Sequence, residues 1–91
     1  MPQLSTSDDA EQLRSFVLAK DVMGAVISHW SYELAMAETA VHSDATMLAE
    51  LETHWRNAND LWYALRPDRP AQLAAVIRWY GPWVKRQLAT S

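Results

Sequence analysis

Leu48, Leu51, Trp55, Ala58, Trp62 and Leu65 recur three and four residues apart. A β-strand cannot bring these side chains to one face, because strand side chains alternate every second residue. On an α-helix they form a single seam, the pattern that a left-handed bundle buries. This stretch commits the middle of the chain to an amphipathic helix that needs partners, with Glu52, Arg56, Asn59 and Tyr63 facing outward. Strand patterning is absent elsewhere, since the β-branched residues are scattered, whereas the abundant Ala, Leu, Glu and Arg favour helix. The predicted fold is all-α: a small bundle of three main helices in one domain, residues 1–91.

The first helix is expected to start near Ser7, with N-caps at Ser5, Thr6 or Ser7 and with Asp8, Asp9 and Glu11 near the positive end of the helix dipole. No strong stop precedes His42-Ser43-Asp44. Phe16, Met23, Ile27, Trp30, Leu34 and Val41 share one stripe, and Leu18, Val22, Val26, Met36 and Ala40 form a second beside it. Unbroken from residue 8 to 42, this helix would be about 50 Å long. Two outcomes fit such a long helix with so wide an apolar arc: a kink near Lys20–Gly24 that folds it back, or a second chain that covers the excess. The arc therefore predicts a homo-oligomer, a dimer in the first instance. The intramolecular rival has the other two helices take one stripe each.

The second helix is expected from an N-cap at Ser43 to about Leu65. Arg66-Pro67-Asp68-Arg69-Pro70 reads as a loop, with Pro70 in the first turn of a third helix. Leu73, Ala74, Ile77 and Tyr80 give that helix its stripe, and Gly81-Pro82 is expected to break or sharply kink it.

Ninety-one residues with five tryptophans and no cysteine must be stabilised by dense packing, because a chain this short buries only roughly 60–65% of its unfolded surface. Residues 1–9 show no basic region followed by an apolar run, so no signal peptide is expected. No apolar run reaches the ~18 residues of a membrane span. A soluble cytoplasmic protein is the expectation. The net charge of −3 is unevenly divided. Residues 1–65 carry three basic against ten acidic residues, a net −7, and residues 66–91 carry five against one, a net +4.

Chemistry-bearing motifs are weak. His29 with Glu33, Glu38 with His42, and Glu50 with His54 are spaced four apart. Each pair lies on one helix face, but His29 and Glu38 fall on opposite sides of the wheel and cannot share an ion. Three local His–Glu contacts are expected, with no metal and no cofactor. His29 falls in the second stripe and reads as a hydrogen-bonded histidine at a helix contact. A small helical enzyme or ligand-binding bundle would need a pocket lined by Arg14, Lys20 and Arg56. No catalytic residue is assigned, because no nucleophile or acid–base partner accompanies these cations.

The strongest local signal is Arg78-Trp79-Tyr80-Gly81-Pro82-Trp83-Val84-Lys85-Arg86, where aromatics interleave with cations. Nucleic acid could stack on such rings, but the acidic net charge opposes phosphate. An anionic membrane surface is a weaker option, and a helix that merely closes the core is the plain alternative. The functional expectation is a non-enzymatic protein that acts through a protein partner as an adaptor, regulator or inhibitor. Trp79, Tyr80, Trp83, Lys85 and Arg86 are its candidate contacts, with Trp83 left outside the core by the Gly81-Pro82 break.

Overall fold

Three α-helices and no strand form among residues 6–42 and 44–90, which the structure, a computed structural model, describes. α1 spans Thr6–Glu38, α2 Ala45–Ala64 and α3 Pro70–Thr90. Among these residues no helix is long and apolar enough to cross a membrane.

α1 is one helix of 33 residues. The kink near Lys20–Gly24, one of the two outcomes open to so long a helix, does not interrupt it: Gly24 has no positive φ, and nothing lies within 4 Å of the place a Cβ would take. A glycine in that setting weakens a helix without redirecting it. α1 stops at Glu38, short of His42. There Thr39 Oγ1 donates to the Met36 carbonyl at 3.0 Å, and the Ala40 N–H reaches the Ala37 carbonyl at 3.3 Å. A tightened last turn with a side-chain donor on its carbonyls ends the helix. Val41, expected on the main stripe, lies in the turn and is exposed. The caps expected at Ser5, Thr6 and Ser7 fall outside the described side chains.

α2 is capped by Asp44, not by Ser43, which lies outside the described residues. The Asp44 backbone is extended, and its Oδ1 accepts the Thr46 N–H at 2.9 Å. A carboxylate there satisfies an orphan N–H and also complements the helix dipole. The seam turns inward as predicted: Ala58 and Leu65 are buried, and Leu48, Leu51, Trp55 and Trp62 are half-buried. At the far end Gln72 staples the connection. Its Nε2 donates to the Ala64 carbonyl at 3.1 Å and its Oε1 accepts the Arg66 N–H at 3.0 Å, so one side chain serves a terminal carbonyl of α2 and a donor of the loop. Pro70 then opens α3, where its missing N–H costs nothing.

α3 runs through Pro82 to Thr90, so the predicted break at Gly81-Pro82 is corrected. A proline clashes with the Cβ and N–H of the residue before it, which disfavours helix there. Gly81 has no Cβ, and that relieves part of the clash.

α1 is the spine. It packs against both other helices, whereas no Cα of α2 comes within 8 Å of one in α3 among the described residues. α2 runs antiparallel to α1, since Trp62 meets Lys20 and His54 meets Trp30. α3 runs parallel to α1: Leu73 lies beside Gln12 and Ser15, and Trp83 beside His29 and Trp30. The core joins Ala19, Val22, Met23 and Val26 of α1 with Ala58, Leu65, Leu73 and Val76. Both stripes of α1 are thus covered from within the chain over its middle, while Leu18 and Met36 of the second stripe remain exposed. The result is long and thin, 64 × 25 × 16 Å, with a radius of gyration of 16.6 Å against the ~12 Å typical of a compact chain this size.

Candidate functional site: the groove between α2 and α3

Two helices laid on one spine, joined at their linked ends by Gln72 but with no Cα pair within 8 Å among the described residues, leave a groove between them, floored by α1. Two hollows occupy it. One, of about 330 Å³, lies over Met23, Val26 and Trp30, between His54 and Asn57 of α2 and Trp79, Tyr80, Trp83 and Arg86 of α3. The other, of about 440 Å³, is lined by Leu61, Gln72, Ala75 and Val76, with Trp79 and Tyr80 again on its edge. Trp79 and Tyr80 therefore stand where the two hollows meet. Trp79 is 73% exposed, a large apolar area held in water.

One end of the groove is built from stacked rings. The Trp30 indole has the His54 imidazole against it at 4.5 Å between centroids, tilted by 16°. Trp83 lies at 6.1 Å and 21°. His29 sets its ring edge-on to both Trp30 and Trp83, each at 4.7 Å. Such offset and edge-on arrangements suit the aromatic quadrupole. They also correct the histidine expectations. Among the described residues no ion pair joins His29 to Glu33 or His54 to Glu50. T-shaped ring contacts with Trp30 and Trp83, rather than a hydrogen bond, hold His29. No group of three potential metal ligands is present among those residues.

Of the predicted contact residues, Trp79, Tyr80, Trp83 and Arg86 line one hollow, and exposed Lys85 lines neither. Trp83 differs from its expected place: because α3 is unbroken, the ring is half-buried and packs against the core. Sequence reasoning missed the opposite wall. His54 had been assigned to a pair with Glu50, and Asn57 carried no signal, because nothing in a linear pattern says which helix stands across a groove.

The cations proposed for an enzyme pocket are engaged apart. Lys20 Nζ donates to the Trp62 carbonyl at 2.8 Å and sits 3.4 Å from the centroid of the same residue's ring. Arg56 pairs with Glu52 at 2.6 Å on the exposed side of α2, and Arg14 is exposed. Arg66 Nε reaches Asp68 Oδ1 at 3.1 Å, and this bond holds the Asp68 carboxyl below its ordinary value.

Comparison with family models, curated proteins and solved structures finds no match.

Proposed function

We propose that this chain is a non-enzymatic protein-interaction module, acting in the cytoplasm as an adaptor, regulator or inhibitor through its α2–α3 face. The observation that carries the reading is Trp79, largely exposed at the junction of two mostly apolar hollows. Contact hot spots are enriched in Trp, Tyr and Arg and sit at the centre of a patch beside well-packed pockets. Trp79, Tyr80 and Arg86 supply those residue types here, and Trp30 and Trp83 give the patch a rigid floor. A chain without cysteine suits a reducing compartment.

The test is a photo-crosslinking residue at position 79 and, as a control, at the outward-facing Tyr63 in the native cell. The expected result is a protein adduct from position 79 only, and a purified adduct partner that loses binding to the Trp79→Ser variant. Equal crosslinking from both positions, or binding indifferent to Trp79→Ser, would overturn the reading.

A further inference from the structure

We infer that the occupant of the α2–α3 groove is a second copy of the same chain, related by a two-fold axis so that each α3 lies along its partner's α2. The inference rests on the interaction reading above and names the partner. Two independent features lead to it.

The first is shape. Trp79 projects beside hollows that its own ring does not fill. A patch that carries both a knob and a hole can pair with itself, since a two-fold contact sets the same patch on both sides. Each Trp79 then seats in the groove of the other copy, and both aromatic faces leave water together.

The second is charge. α3 carries Arg78, Lys85 and Arg86 and no acidic residue, a net +3. α2 carries Glu50, Glu52 and Asp60 against Arg56, a net −2. Glu50 and Asp60 stand seven and three residues from Asn57, on or beside the side of the helix that lines the groove. Placing α3 on the partner's α2 meets opposite sign at both symmetry-related contacts. Placing α3 on the partner's α3 sets like charges together. Complementarity of this kind fixes register and orientation at an interface.

The experiment exploits that symmetry. Variant one carries Glu50→Lys and Asp60→Lys, which makes both α2 and α3 basic. Variant two carries Arg78→Glu, Lys85→Glu and Arg86→Glu, which makes both acidic. All five positions are exposed, and circular dichroism checks that helix content is kept. Sedimentation velocity at micromolar concentration should give a dimer for the parent chain, weakened by added salt. Each variant alone should be monomeric, and an equimolar mixture should recover the dimer. Trp79→Ser should be monomeric, and Tyr63→Ser dimeric. The inference is overturned if the parent is a monomer, if either variant stays dimeric alone, or if mixing restores nothing. A monomeric parent whose position 79 still crosslinks a different protein leaves the interaction reading standing and removes only the second copy as its occupant. A parent dimer indifferent to Trp79→Ser and to the charge reversals places self-association on another face.

Discussion

The Lys20 ammonium donates a 2.8 Å hydrogen bond to the carbonyl of Trp62 and lies 3.4 Å from the centroid of that residue's indole. One cation thus meets both the backbone and the ring of a single residue near the end of α2. The carbonyl belongs to the last turn, where the helix dipole is negative, and the ring face attracts the same charge through its quadrupole. A lysine on the edge of the main stripe of α1 becomes the bolt that fixes the α2 terminus to the spine.

Lys20→Met keeps most of the aliphatic stem and removes the charge. It is expected to lower stability by about 1–3 kcal/mol, the range of a charge-assisted hydrogen bond plus a partly shielded cation–π contact. Urea unfolding with an unchanged slope and a lower midpoint is the readout. An unchanged midpoint would mean that the contact is not made in solution.

Gly24→Ala should stabilise the chain. No atom occupies the space of the new methyl, and the backbone needs no left-handed conformation. The gain is about 1 kcal/mol from helix propensity and reduced unfolded-state entropy. A thermal melt should rise by roughly 4–8 °C. A fall would show that α1 bends at this residue after all.

Trp83 and Trp79 should separate cleanly, although both sit in the aromatic-basic segment. Trp83 packs against the core, so Trp83→Ala is expected to cost about 2–4 kcal/mol. Trp79 is 73% exposed, so Trp79→Ala should change the stability of the monomer by less than ~1 kcal/mol. Equal losses would place both rings in the core.

Asp68 should titrate below the ordinary aspartate value of 3.8, because Arg66 donates to its ionised form. A carboxyl whose folded value is depressed adds stability above its unfolded value, and that contribution is lost as pH falls through the folded value. Carboxyl NMR shifts followed below pH 4 should show Asp68 as a late titrator, and Arg66→Gln should return it towards 3.8. The site is fully exposed, so the melting temperature should barely respond.

The two histidines of the groove show where linear reading stops. His29 and His54 each have a glutamate at helical spacing, and that local fact is correct. The His54 ring lies instead on Trp30 of α1, and the His29 ring meets its neighbour Trp30 and Trp83 of α3. A helix decides which residues share its face, but not which face of another helix arrives there.

Periodicity and punctuation by themselves determined three helices, the inward seam from Leu48 to Leu65, the Pro67–Pro70 connection and the outward Tyr63, because these follow from backbone geometry within a few turns. The tertiary structure alone decided the rest. It kept α1 continuous through Gly24, carried α3 through Pro82 and so packed Trp83 against the core. It laid α2 and α3 on one spine with their backbones held apart. Those outcomes depend on sums of contacts between segments far apart in the chain, which outweigh a single glycine or proline whose cost is only about 1–3 kcal/mol. The groove is the consequence: its two walls are separated by a turn and its floor comes from a third helix, so no stretch of sequence contains it.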